Sequence, residues 1–134
     1  MATIHTEYLG DLRTKARHLA SGNELLTDAP VDNKGRGETF SPTDLIATAL
    51  GSCMITIAGI AGREHGFLID GAKADITKIM ASNPRRVAEI IVELDFAGHH
   101  YTEKQKEFIR VACLNCPVAK SLHPDLKQSL VFKF

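Results

Sequence analysis

The sequence predicts a single α+β domain in which short strands come first, a long apolar helix follows, and a hairpin, two short helices and a last strand complete the chain. Two patterns indicate this class. Short segments of β-branched and apolar residues alternate with turn signals near the N-terminus, and a long apolar run lies in the middle of the chain. The length of 134 residues, with 44% hydrophobic and 24% charged residues, is that of one globular domain covering residues 1–134.

Charge and cysteine counts narrow the classes of function. Lys plus Arg and Asp plus Glu both number 16, so the chain has no net field that would attract nucleic acid or an anionic membrane. We expect neither as a partner. The cysteines number three, whereas a disulfide framework needs an even number. We therefore expect a reducing compartment and a cytoplasmic protein.

The first part of the chain predicts three antiparallel strands and a loop. The strand segments are separated by the turn signals Gly10-Asp11 and Ser21-Gly22-Asn23. They cover residues 3–8, 12–19 and 24–29. The Gly-rich, polar stretch that follows, residues 30–39, has no periodicity and predicts a loop.

A long helix is predicted from Ser41 to about residue 65. Ser41 suits the N-cap, Pro42 the first helical position and Asp44 the first turn. Gly66 suits the left-handed backbone conformation that commonly ends a helix. Residues 45–62 are nearly as apolar as a membrane span, but they are rich in Ala, Gly, Ser and Thr, which favours a buried helix of a soluble domain. Because the apolar positions surround the helix, we expect a second subunit to cover part of it.

The second half predicts a hairpin, two helices and a closing strand. The hairpin strands cover residues 67–80 and 87–96, and the last strand covers residues 130–134. Thr102 and Gln105 predict a capping box for a helix that ends at Cys113. A short second helix then begins at Cys116-Pro117.

Two cysteines are candidate nucleophiles for different local reasons. Cys53 lies deep inside the long helix, where the dipole of the helix does not reach, so it is either a packing residue or a thiol activated by another segment. Cys116 precedes Pro117 at a helix N-terminus, where free N–H groups stabilise a thiolate. On local grounds Cys116 is the better nucleophile, with an ordinary turn residue as the alternative.

Cys113 and Cys116 also form a C-x-x-C pattern. A thioredoxin-like pair or half of a zinc site has this spacing, and His99, His100 and His123 offer further zinc ligands. The spacing of the histidines is irregular, and Cys113 ends a helix where a thioredoxin-like pair would begin one. Both interpretations are therefore alternatives to a thiol that acts singly.

Arginines near the long helix are the candidate activating groups. Arg36 lies in the loop before the helix and could fold over a sulfur, while Arg13 and Arg17 on an early strand are weaker candidates. The sequence Gly35-Arg36-Gly37 lacks the lysine of a phosphate loop. We expect no cofactor and no metal.

The segment SPTDLIATALGSC, which ends at Cys53, and the later motif Asn115-Cys116-Pro117-Val118 together resemble the OsmC/Ohr family of thiol-dependent peroxidases. The resemblance extends over nearly the whole chain. It implies the OsmC-like fold, with antiparallel sheets around a long buried central helix. It also implies an intertwined homodimer with its active sites at the subunit interface.

The resemblance reverses the local ranking of the cysteines. It implies that Cys53 attacks an organic hydroperoxide, that the resulting sulfenic acid condenses with Cys116 to a disulfide, and that a dithiol reductant opens it. An arginine would activate Cys53, either Arg36 in the loop before the helix or Arg13 on the early strand, with Asp44 as the acid that holds the arginine. Thr43 stands where these peroxidases have a glutamate. The alternative is therefore a weakly active or non-catalytic relative that binds an apolar ligand in the dimer cleft.

Overall fold

The computed structural model describes residues 1–134, which divide into two compact units, residues 1–46 and residues 47–134. Each unit contains one three-stranded sheet, and the long helix begins in the first unit and continues in the second. The predicted α+β class, with two sheets and a long helix, is confirmed.

The first unit is built on an antiparallel meander. It consists of β1 (Ile4–Gly10), β2 (Arg13–His18) and β3 (Glu24–Asp28), in the order β1-β2-β3. This register places Arg13 directly opposite Asp28. The hairpin therefore brings two side chains of opposite charge together across the sheet.

The predicted loop after β3 contains a short 3₁₀ turn, Val31–Asn33. A Cβ at Gly35 would lie 1.8 Å from the carbonyl oxygen of Ala29, so no larger residue fits where the loop folds back on itself. The loop is thus held closely against the end of β3.

Helix α1 (Pro42–His65) begins with reciprocal capping. The Ser41 hydroxyl accepts from the Asp44 N–H at 3.0 Å, and the Asp44 carboxylate accepts from the Ser41 N–H at 2.9 Å. Gly66, with φ at +78°, follows the last turn. The start and stop signals in the sequence mark both ends of the helix.

The second unit carries a mixed sheet. Its strands are β4 (Lys73–Ala81), β5 (Arg86–Asp95) and β6 (Lys127–Lys133). β4 and β5 form the predicted antiparallel hairpin, whereas β6 pairs parallel to β5, so the sheet of the second unit is mixed. A parallel pair needs a long crossover, which the two helices between β5 and β6 supply. These are α2 (Glu103–Leu114) and α3 (Pro117–Ser121).

Two strand boundaries also differ from the prediction. The first hairpin strand starts at Lys73 because a turn with Gly71 at φ +87° occupies the residues before it. The last strand starts at Lys127, among polar residues that carry no apolar alternation. Pairing with the buried strand β5 overrides the weak local pattern there.

The core of the second unit lies where α1 meets the sheet. The inward face of β5 consists of the fully buried Ile90, Val92 and Leu94, as the alternation predicts. Leu50 and Met54 of α1 are fully buried in the same cluster. A helix stripe with a four-residue spacing therefore packs on a strand face with a two-residue spacing.

α1 is buried on one side only. Leu50, Met54 and Ala58 are fully buried, whereas Ile46 is 38% and Ile60 is 45% exposed. By length and composition α1 is the one helix apolar enough to cross a membrane, a test that the core helix of a soluble protein also meets. A single chain therefore leaves an apolar helix face uncovered.

Candidate active site

Cys53 is positioned by the close approach of α1 to β4. A Cβ at Gly51 would lie 2.2 Å from Ile76 Cδ1, so the glycine allows the helix to lie directly against the strand. The next residue but one, Cys53, is half-buried, and Met54 beside it is fully buried. Cys53 thus lies at the border of the core.

Cys116 is the N-cap residue of α3. Its sulfur accepts a hydrogen bond from the Ala119 N–H at 3.4 Å, and Pro117 takes the first helical position, as predicted. Cys116 is fully buried, and its thiol is in hydrogen-bonding contact with the Cys53 thiol. Burial and this contact raise the pKa of Cys116, while the N–H group of Ala119 opposes the rise.

Cys113 ends α2 in the core. Its thiol is fully buried and donates to the carbonyl oxygen of Met54 at 3.6 Å. Burial, with a smaller contribution from Cys116, raises the pKa of Cys113 to about 12. All three cysteines are free, and at neutral pH Cys113 is a neutral thiol.

The histidines considered as zinc ligands make other contacts. His99 Nε2 lies 2.7 Å from the carbonyl oxygen of Asp70, and His123 Nδ1 accepts from the Asp125 N–H at 3.0 Å. No group of three or more His, Cys, Asp or Glu side chains converges in a metal-binding arrangement. The geometry of the site is that of paired thiols.

Arg36 and Asp44 both belong to the first unit. Arg36 Nη2 lies 3.3 Å from Asp11 Oδ2, and its Nε lies 3.7 Å from Glu38 Oε1. All three side chains are well exposed, so these ion pairs hold the arginine only weakly. Asp44 uses its carboxylate to cap α1 through Ser41.

A stronger ion pair lies nearby in the first unit. Arg13 donates to both carboxylate oxygens of the buried Asp28, from Nε at 2.7 Å and from Nη2 at 2.8 Å. Arg13 holds the pKa of Asp28 below its usual value, and the Glu38 N–H adds to this effect at 3.1 Å. Sequence reasoning named Arg13 but missed Asp28, although the register of the β2–β3 hairpin, which the turn between these two strands fixes, places the two residues opposite each other.

Chemically, the contact between Cys53 and Cys116 joins two sulfurs that are far apart in the sequence. One is half-exposed and the other is buried at a helix N-terminus. Such a pair can form a disulfide when the first sulfur is oxidised. The fold and this thiol pair define the class of OsmC-like proteins.

The family model described as OsmC-like protein matches residues 35–130, and the chain belongs to the OsmC family. A structure from Psychrobacter arcticus, of a proposed osmotic stress induced and detoxification response protein, is 50% identical with a TM-score of 0.94. The alignment covers 98% of this chain and 96% of that one. No curated protein matches the chain.

More distant structures share the fold. An organic hydroperoxide resistance protein OsmC from Legionella pneumophila, described as a predicted redox protein and regulator of sulfide bond formation, is 12% identical with a TM-score of 0.78. The alignment covers 100% of this chain and 98% of that one. An OsmC-like protein from Mycoplasma pneumoniae is 20% identical with a TM-score of 0.75, over 97% and 94% of the two chains. The names in this family place it among stress and redox proteins.

Proposed function

We propose that this protein is a thiol-dependent peroxidase that reduces organic hydroperoxides to alcohols through Cys53 and Cys116. The observation that carries the proposal is the contact between the two free thiols. The name of the Legionella pneumophila relative, an organic hydroperoxide resistance protein, supports the class of substrate.

The proposed reaction has three steps. The Cys53 thiolate attacks the distal oxygen of the hydroperoxide, the O–O bond breaks, and the alkoxide takes a proton and leaves as the alcohol. The sulfur of Cys116 then attacks the Cys53 sulfenic acid, forming a disulfide and releasing water. A dithiol reductant returns both cysteines to thiols by exchange.

The difference in burial supports the assignment of roles. Cys53 is only partly buried, which makes it the more accessible of the two to a hydroperoxide, whereas Cys116 is fully buried. Burial raises the pKa of Cys116, which disfavours it as the first nucleophile at neutral pH. Its contact with Cys53 suits it to trap the sulfenic acid before a second oxidation.

The proposal includes Arg36 as the group that stabilises the Cys53 thiolate and Asp44 as the acid that holds the arginine. The weak, exposed ion pairs of Arg36 leave its guanidinium free to change partners. Arg13 is the alternative, already held firmly by Asp28. Comparing Arg36→Ala with Arg13→Ala for the rate of Cys53 alkylation at neutral pH identifies the activating residue.

A second copy of the chain is proposed to complete the site. α1 leaves the apolar Ile46 and Ile60 exposed, and the first unit exposes further large apolar residues. These include Tyr8, Leu9, Leu12, Leu19, Leu25 and Leu26. A homodimer in the cytoplasm would cover these surfaces, and light scattering at micromolar concentration would show twice the mass of the chain.

The alternative function is binding of an apolar ligand without turnover. It is favoured by Thr43, which takes the place of the family glutamate and lies 3.1 Å from the Ser41 hydroxyl, oxygen to oxygen. Cys53→Ser separates the two functions. A variant that retains all activity in cells supports binding, and loss of activity supports catalysis.

The direct test is to oxidise the reduced protein with one equivalent of cumene hydroperoxide, block free thiols with acid quench and alkylation, and map disulfides by peptide mass. The expected first product is a Cys53–Cys116 link, absent in Cys53→Ser and in Cys116→Ser. Cys113→Ser is the matched control and should still form it. A first product linking Cys113 to Cys116, or no link at all, contradicts the proposal.

A further inference from the structure

The proposed reaction leaves one buried thiol without a role. Cys113 is fully buried at the end of α2, and its S–H donates to the carbonyl oxygen of Met54, the residue after Cys53. A small apolar residue would fill a core position of this kind equally well. The third thiol therefore lies against the helix segment that carries the attacking cysteine.

The turn between α2 and α3 brings Cys113 back toward Cys116. The Asn115 N–H bonds the carbonyl oxygens of Val111 and Ala112, at 3.2 and 3.3 Å, which closes the last turn of α2 one residue before Cys116. Cys116 also acts electrostatically on Cys113 and is in contact with Cys53. Cys116 is thus the sulfur common to two neighbouring thiol pairs.

We propose that Cys113 is a second resolving thiol, which takes over the disulfide from Cys53 by exchange at Cys116. This inference rests on the proposed function and extends it. Two observations carry it. Both thiols are buried in one cluster, with Cys113 hydrogen-bonded to Met54 next to Cys53 and Cys116 capping α3. The C-x-x-C spacing at the end of α2 spans a local disulfide in other dithiol sites.

The exchange needs no further oxidant. The Cys113 thiolate attacks the sulfur of Cys116, a Cys113–Cys116 bond forms, and the Cys53–Cys116 bond breaks. The electron pair leaves with Cys53 as a thiolate, and the proton that Cys113 loses passes to solvent. One disulfide and one thiol are present before and after the step.

The consequence is that Cys53 is freed while the protein is still oxidised. It can then reduce a second hydroperoxide, but Cys116 is no longer available to trap the new sulfenic acid. In the absence of reductant the wild type should therefore consume roughly two equivalents of hydroperoxide, against roughly one in a protein without Cys113.

Burial makes the exchange slow at neutral pH. Because burial raises the pKa of Cys113 to about 12, its thiolate fraction, and with it the rate of exchange, should rise about tenfold per pH unit between pH 7 and pH 9. The titratable groups beside Cys113 are Cys116, which acts on it directly, and Cys53, which acts on Cys116.

The experiment follows the disulfides over time in the full-length protein without reductant. One sample is oxidised with cumene hydroperoxide and another with diamide, which forms disulfides without peroxidase chemistry. Aliquots are acid-quenched from seconds to hours at pH 7 and pH 9, alkylated and mapped by peptide mass. A second equivalent of hydroperoxide is then added with dimedone, which labels sulfenic acids.

The expected result is early Cys53–Cys116, later replaced by Cys113–Cys116, with a dimedone adduct on Cys53. Cys113→Ala should keep the first disulfide and give no adduct. A wild type that retains Cys53–Cys116 for hours at pH 9 overturns the proposal, as does a Cys113–Cys116 link that forms equally fast in Cys53→Ser. One outcome separates the two proposals. If the diamide-oxidised protein converts Cys53–Cys116 into Cys113–Cys116 but the reduced protein does not react with hydroperoxide, the peroxidase function is refuted and the exchange is supported.

Discussion

The close approach of α1 to β4 predicts the effect of a single methyl group at Gly51. In an open helix position Gly→Ala stabilises by about 1 kcal/mol. At Gly51, however, the new Cβ would lie 2.2 Å from Ile76 Cδ1 and 2.9 Å from its Cγ1, closer than any real contact. Overpacking of this kind costs about 1–3 kcal/mol, which cancels or exceeds the gain in helix propensity, so Gly51→Ala should lower the free energy of unfolding by up to about 2 kcal/mol.

Urea denaturation measures this change, and Gly59→Ala is the matched control. The Cβ at Gly59, on the same helix, would lie 3.7 Å from Ile69 Cδ1, an ordinary contact, so that variant should gain up to about 1 kcal/mol. With a urea m-value of about 2 kcal/mol/M, the two midpoints should differ by about 1 M. Both variants are compared at one protein concentration, because association would add stability.

A double variant tests whether the contact itself is the cause. Ile76→Val deletes the Cδ1 methyl group and alone should cost about 0.5–1.5 kcal/mol. Combined with Gly51→Ala, it should be more stable than the sum of the single changes by about 1 kcal/mol. If Gly51→Ala is as stable as Gly59→Ala, or if the two changes simply add, the packing argument is refuted.

Two further predictions concern capping and pH. Thr102→Ala removes the capping box with Gln105 and should lower the free energy of unfolding, measured by urea denaturation, by about 1 kcal/mol. Thr102→Ser keeps the hydroxyl and should lower it little. Equal losses in the two variants would contradict a capping role. Because Arg13 lowers the pKa of Asp28 in the folded state, their pair stabilises the protein above about pH 4, and this stability is lost as the pH falls further. Between pH 6 and pH 3, the free energy of unfolding should therefore depend less on pH in Asp28→Asn than in the wild type. Glu24→Gln, which removes an exposed carboxylate, is the control. If Asp28→Asn leaves the acid dependence unchanged, the ion pair does not stabilise the protein.

Much of the fold could be predicted because local signals agree with the final packing. Ser41, Pro42 and Gly66 mark the ends of α1, and the inward alternation of β5 marks the core of the second unit. The parallel pairing of β6 could not be predicted, because a strand's direction relative to a distant partner leaves no trace in its own residues. The start of β6 at Lys127 was also missed, because its first residues are polar and show no apolar alternation.

Only part of the candidate site could be predicted from the sequence. The helix N-terminus at Cys116 follows from Pro117, but nothing local to Cys53 predicts its contact with Cys116, which tertiary packing creates. Only the resemblance to a family joined the two cysteines. The contact of Cys113 with Met54 is equally invisible in the sequence, because it joins two helices through one buried sulfur.

The sulfur cap of α3 links the redox state of Cys116 to local order. A helix of five residues cannot sustain itself, and this one begins with a thiol sulfur that accepts the Ala119 N–H. A sulfur drawn into a disulfide is a poorer and differently aimed acceptor, so oxidation should fray the first turn of α3. The oxidised form would then hold its disulfide in a loosened segment, where a reductant could reach it without recognising the rest of the surface.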